Sequence, residues 1–187
     1  IMDLRKAVRN SETPDFPKDD RILKASPSKR EFIDYLKYLY YEHEGPISLD
    51  VENTVKAHID IVGFADSDKH GMSFAFITNK EPRLSCQDEL EVWRWIDKVV
   101  STKETILQNG SHDVGSLMHH NGIFTSKLRH DIMIMAHILW PELPRSLGFL
   151  ASICLNVPAW KHTSSEAPAL YNCSDVVNTY GIFNALN

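Results

Sequence analysis

Two carboxylates stand at alternate positions in Ile47-Ser48-Leu49-Asp50-Val51-Glu52, closing a short apolar run. Successive side chains of a strand point to opposite faces, so Asp50 and Glu52 project from the same side. Like charges that close repel, and one keeps its proton unless a cation sits between them. Hard divalent cations such as Mg2+ and Mn2+ take oxygen ligands. The pair therefore reads as half of a metal site at a strand end. Taken alone, Asp-x-Glu is more often a solvated strand end.

Two further stretches supply acids at useful spacing. Asn109-Gly110-Ser111-His112-Asp113 directly follows an expected strand over 105–107. Open α/β sheets build their sites at strand ends where the strand order reverses. Asp113 would enter such a site from the start of a helix; the plainer role for Asp113 or Ser111 is to cap that helix. In Tyr171-Asn172-Cys173-Ser174-Asp175, the Tyr and Asp are four apart and share one helix face. A tyrosine hydroxyl beside a metal-holding carboxylate can orient a water; packing for Tyr171 and a surface or capping role for Asp175 are the alternatives. Together these stretches put four acids and a tyrosine at a strand end, a loop-to-helix junction and a final helix. Such a cluster calls for cations, and two divalent ions about 3.5–4 Å apart are a known solution for phosphodiester cleavage.

The elements that must position these residues follow from periodicity. Residues 1–27 mix charge with Pro14 and Pro17 and read as an irregular N-terminal arm. Ser28 and Glu31 form an S-x-x-E capping box before a helix over 29–43. Gly45-Pro46 stops it and launches a strand over 47–51. Strands over 58–65 and 72–78, joined by a turn at 66–71, imply an antiparallel hairpin. An amphipathic helix spans 87–101, on which Trp93 and Trp95 cannot both face the core. Helices are expected over 111–120, ended by Gly122, over 131–139 as a buried segment, over 147–155, and over 174–185 with an earlier start allowed. The pattern is an α/β domain with a mixed sheet.

The totals bound the function. The 187 residues are enough for one well-packed domain, and 43% hydrophobic with 24% charged is ordinary for a soluble globular protein. No apolar stretch reaches membrane-spanning length and no secretory signal opens the chain. Cys86, Cys154 and Cys173 are scattered and odd in number, which fits a reducing compartment better than a disulfide framework or zinc ribbon. A net charge of −5 argues against gripping nucleic acid by bulk electrostatics. The histidines at 112, 119, 120, 130 and 137 lack the H-E-x-x-H spacing of a zinc site.

In order and spacing, Asp50-x-Glu52, Asn109-x-x-x-Asp113 and Tyr171-x-x-x-Asp175 resemble the three motifs of the DEDDy 3′–5′ exonucleases. More narrowly, the chain is similar to the proofreading exonuclease domain of bacteriophage-type family A DNA polymerases. Residues 59–65 (IDIVGFA), His130-Asp131, Trp140-Pro141-Glu142-Leu143-Pro144 and residues 146–153 (SLGFLASI) extend the likeness across roughly 28–187. The resemblance implies a ribonuclease-H-like fold: a mixed five-stranded sheet with one antiparallel strand, flanked by helices. It implies that Asp50, Glu52, Asp113 and Asp175 hold two Mg2+ or Mn2+ ions and that Tyr171 orients the attacking water. Asn109 would contact the nucleotide near the 3′ end. The implied substrate is a single-stranded or frayed DNA 3′ end. The implied setting is intracellular, in a phage-encoded protein whose polymerase domain follows C-terminally. Asn53 stands where many relatives have Thr, Ile132 where Thr is frequent, and Lys56 where an apolar wedge is common. None of these removes a metal ligand.

Lys161 and His162, in the loop before Tyr171, are candidates for a phosphate contact, with a solvated loop as the alternative. Two other functions stay open: a stand-alone exoribonuclease of the same fold, and a catalytically silent nucleic-acid-binding domain. A contact to the 2′-hydroxyl is what separates RNA from DNA. A silent domain has no need for mutually repelling carboxylates.

Overall fold

The computed structural model describes residues 8, 11, 19–53 and 58–187. Its centre is a six-stranded sheet in the order β1-β4-β3-β2-β7-β8. The strands are β1 (Ile22–Lys24), β2 (Ile47–Glu52), β3 (Ile61–Ala65), β4 (His70–Ala75), β7 (Thr105–Leu107) and β8 (Leu128–Asp131). β3 runs antiparallel to both β2 and β4, while the β1–β4, β2–β7 and β7–β8 pairs are parallel. One antiparallel strand in a mixed sheet is the expected topology, but the sheet has six strands rather than five. Four of the six lie where periodicity puts strands; β8 falls between two expected helices, and β1 comes from the segment read as an irregular arm. Ile22–Lys24 pairs with 70–72 at the edge, too short to show a period in sequence. A separate small hairpin, β5 (Ile77–Thr78) and β6 (Glu81–Pro82), turns at Asn79 and Lys80, both with positive φ. That conformation suits a tight hairpin, and it cuts short the strand expected to run to residue 78.

The helices are α1 (Lys29–Tyr41), α2 (Cys86–Thr102), α3 (Gly110–Asn121), α4 (Ile132–Leu139), α5 (Leu147–Cys154) and α6 (Pro168–Leu186). Ser28 and Glu31 make the expected capping box at the start of α1. Gly122 closes α3 in a left-handed conformation, its N–H reaching back to Leu117 and Met118 carbonyls. On α2, Trp93 is buried and stacks on Phe76 at 4.6 Å, whereas Trp95 lies partly exposed among Tyr40 and Tyr41. The segment expected to be a buried helix differs. In α4 only Ile132 and Ala136 are buried, and Ile134, Ile138 and Leu139 are at least half exposed. Hydropathy alone does not tell a covered helix from an apolar one lying at the surface.

The two faces of the sheet carry different side chains. Ile47, Leu49, Val51, Val62, Phe64, Phe74 and Phe76 fill one face and pack with α1 and α2 into the main core. The other face, under α6, is lined by small or polar residues that include Gly63, Ala65, Gly71, Ser48 and Ser73. This lets α6 lie close. Ser48 Oγ donates to the Val176 carbonyl at 2.6 Å, and Ser73 Oγ to Asn172 Oδ1 at 2.6 Å. A Cβ on Gly63 would stand 2.2 Å from Asn172 Oδ1 and 2.7 Å from Ser73 Oγ. Among the described residues, no helix is long and apolar enough to cross a membrane.

Gly63→Ala should push α6 off the sheet and destabilise the fold by about 1–3 kcal/mol. Gly115→Ala, with nothing within 4 Å of the new methyl, should stabilise α3 by roughly 0.5–1 kcal/mol. Urea denaturation of the two variants measures both, and a neutral Gly63→Ala would refute the close approach.

Candidate active site

The acids on β2 follow from the pleat. Leu49 and Val51 point into the core, so Asp50 and Glu52 point the other way, toward α6. α6 brings Tyr171, Asn172 and Asp175 to the same end of the sheet. Oxygen atoms of Asp50, Glu52 and Asp175 lie within 4.8 Å of one another. Three convergent carboxylates are a hard-oxygen donor set that fits a divalent cation.

Asp113 joins from α3. It is 1% exposed, and its Oδ1 accepts the Val51 N–H at 3.0 Å. It stands outside the three-carboxylate group but near enough for its charge to act on Asp50. It does not cap α3, and neither does Ser111. The N-cap is Asn109, left-handed at φ 61°, with no side-chain cap bond. The job falls to Asp131, which accepts from Gly110 N at 2.8 Å and Asn109 N at 3.2 Å and also caps α4 through Met133 N at 2.9 Å. Asp131 thus fixes where α3 starts and so where Asp113 sits. The Asn109 side chain itself is solvent-exposed and takes a 3.3 Å hydrogen bond from Ser111 Oγ.

Other partners complete the site. Asn172 Nδ2 donates to Asp50 Oδ2 at 2.7 Å while its Oδ1 is held by Ser73. Trp160 Nε1 donates to Asp175 Oδ1. Lys161 Nζ lies 2.9 and 3.1 Å from the two Asp175 oxygens and 2.8 Å from the Tyr171 hydroxyl. His162 is exposed on the same short 3-10 turn, Lys161–Ser164. Asn172, Trp160, Ser73 and Asp131 were not singled out from sequence. Asn172 and Asp131 lie inside motif stretches, but their roles depend on partners about a hundred and about twenty residues away. Asn53, one of the departures, ties its side chain to the His58 carbonyl at 2.8 Å, and Ile132 is fully buried. Lys56 lies outside the described residues. The histidines do not gather: His119 and His120 touch each other, and His130 packs on Phe183.

The electrostatics follow from crowding. Burial, then the charges of Asp113, Asp175 and Glu52, push the Asp50 carboxyl well above the usual range. Burial raises Asp113 to about 7. Burial also raises Glu52 and Asp175, with Lys161 opposing the rise in both cases. Burial likewise lifts the Tyr171 hydroxyl above its ordinary value. It is therefore a hydrogen-bonding group and no base at neutral pH.

No family model and no curated protein matches the chain. Solved structures do. A nuclease in its apo form matches with a TM-score of 0.62 at 15% identity, over 89% of this chain and 79% of its own. The EXO domain of Aedes aegypti Nibbler matches at 0.61 and 14% identity, over 91% of this chain and 88% of its own. The POL domain of Pol1 from M. smegmatis, in complex with DNA primer-template and dNTP, matches at 0.58 and 15% identity, over 86% of this chain and 27% of its own. The fold is therefore the ribonuclease-H-like one shared by exonuclease domains and a polymerase of this kind.

Raised carboxylates set a pH dependence. Their stabilising contribution is full below the ordinary values, 3.8 for the aspartates and 4.5 for Glu52, and is lost as pH rises through the raised values, about 7 for Asp113. In metal-free buffer the urea midpoint should fall across that window, and Mn2+ at pH 8 should restore it by binding the folded state. Asp50→Asn should raise the metal-free urea midpoint at pH 8, because it removes one of the crowded charges, and shrink the Mn2+ effect. A midpoint indifferent to both pH and Asp50→Asn would refute charge crowding at the site.

Proposed function

We propose that this chain is a divalent-metal-dependent 3′–5′ exonuclease that hydrolyses DNA 3′ ends as the proofreading domain of a longer family A DNA polymerase. The observation that carries this reading is the convergence of Asp50, Glu52 and Asp175 beside the Tyr171 hydroxyl, on a fold shared with exonuclease domains. Asp50, Glu52, Asp113 and Asp175 would hold two Mg2+ or Mn2+ ions. Such ions make water acidic near neutral pH and stabilise charge on the attacking and leaving oxygens.

The chain's own groups do the rest. Tyr171 accepts from Lys161 through its oxygen and also pairs with Asp175; turned from Asp175 to a water, its O–H would direct that water at the terminal phosphorus. The water gives up a proton to solvent as its oxygen forms the new P–O bond, the P–O3′ bond breaks, and the 3′-oxygen of the shortened strand takes a proton from solvent, so one water is consumed per bond. The product is a nucleoside 5′-monophosphate. Lys161 and Asn109 would contact the substrate, Lys161 at a phosphate and Asn109 near the terminal nucleotide. A duplex end must unstack to reach the site, so single-stranded or frayed ends should be preferred.

A stand-alone exonuclease, acting on DNA or RNA, is the second reading. It is favoured by the match to the Nibbler EXO domain over most of both chains.

Incubating a 5′-labelled single-stranded DNA with Mg2+ or Mn2+ should give a ladder shortening from the 3′ end. EDTA, Asp50→Ala and Asp113→Ala should each abolish it. A matched RNA strand decides the sugar: faster loss of RNA would overturn the proofreading assignment. Intact DNA and RNA with the folded protein would overturn catalysis by this chain and leave a binding domain. Tyr171→Phe should lower kcat by about 10–100-fold, the worth of one charge-assisted hydrogen bond in the transition state, with KM little changed.

A further inference from the structure

We infer that Lys161 is a built-in cation that latches the metal site, and that it must release Asp175 before a divalent ion binds there. The inference rests on the metal-centre reading of Asp50, Glu52 and Asp175. The Lys161 ammonium spans both Asp175 oxygens, at 2.9 and 3.1 Å, and Trp160 Nε1 also holds Oδ1. Asp175 is one of the three carboxylates whose oxygens converge within 4.8 Å. An ammonium seated on that carboxylate and a divalent cation at the same cluster repel at short range in a partly dry site. Both cannot hold Asp175 fully at once. In the absence of a divalent ion, the lysine supplies the positive charge that the crowded acids need.

The lysine is built to move. It opens the short turn Lys161–Ser164, its side chain is 42% exposed, and its stem passes Gly148, which has no side chain to pin it. Its ammonium lies 4.5 Å from the Tyr171 ring centre and bonds the Tyr171 hydroxyl. A short swing therefore frees Asp175 while keeping the charge beside the place where a phosphate would lie. The same residue then opposes metal binding and favours substrate binding. A residue serving only phosphate contact, or only packing, would not produce that split.

The test measures Mn2+ binding to wild type, Lys161→Met, Lys161→Gln and Asp175→Asn by titration calorimetry or electron paramagnetic resonance, with Mn2+ as the sole ligand. If the latch is closed in most molecules, removing it should tighten Mn2+ by about tenfold or more. The KM for a single-stranded DNA should rise in the same variants. Two substitutions guard against one that misfolds, and thermal melts confirm the folded state. Mn2+ binding that Asp175→Asn weakens, but that both Lys161 variants leave unchanged or weaken, overturns the latch alone. Wild-type protein and Lys161 variants that all fail to bind millimolar Mn2+ overturn the metal centre and the latch with it.

Discussion

Asp50, Glu52, Asp113 and Asp175 sit within reach of one another's charge where water is partly excluded, and the surrounding structure is arranged against that repulsion. Three of the four have a dedicated donor. Asn172 serves Asp50, the Val51 N–H serves Asp113, and Trp160 with Lys161 serves Asp175. These donors come from α6, from β2 itself and from the loop before α6. Every one must be held to within hydrogen-bond distance, because an acceptor left dry and unpaired is more costly than the bond is worth. The placement of α6 against the sheet is therefore the geometric condition on which the site depends.

That condition explains the asymmetry of the sheet. A helix whose side chains reach the oxygens of β2 must approach closely, so the strands beneath it carry Gly63, Ala65 and Gly71 where the other face carries phenylalanines. At about 100° per residue, Tyr171, Asp175 and Asn172 fall within a quarter to a third of the helix circumference. One arc of α6 thus presents a hydroxyl, a carboxylate and an amide to the same strand end. Between 172 and 183 every residue of the helix but Tyr180 is buried, against Ile106, Leu150 and Trp160 on one side and Ala65 on the other. A helix so covered has little freedom to slide, which suits a part that sets distances.

Much of this was legible in the sequence, for reasons that can be named. The side of β2 that bears Asp50 and Glu52 follows from a period of two against Leu49 and Val51. The sharing of a face by Tyr171 and Asp175 follows from helical spacing, and the start of α1 from the Ser28–Glu31 box. What could not be read was long-range or too short. Ile22–Lys24 is a three-residue edge strand. Asp131 reads as the first residue of a helix until its carboxylate is seen receiving the first N–H groups of α3 from another part of the chain. The outward face of α4 was missed because apolar residues predict burial only when a neighbour covers them.

Asp131 also shows how the fold spares its acids from conflicting duties. α3 begins with unpaired N–H groups that attract a carboxylate, and Asp113, in its first turn, is the nearest candidate. Had Asp113 capped its own helix, its carboxylate would turn back toward α3 and away from β2. Asn109 in a left-handed conformation instead exposes its own N–H and that of Gly110 to Asp131, which costs little because Asn tolerates that region. Asp113 is then free to reach across to Val51. A cap supplied from β8 therefore does two things at once: it starts α3 at a defined residue, and it leaves the carboxylate of that helix for the site.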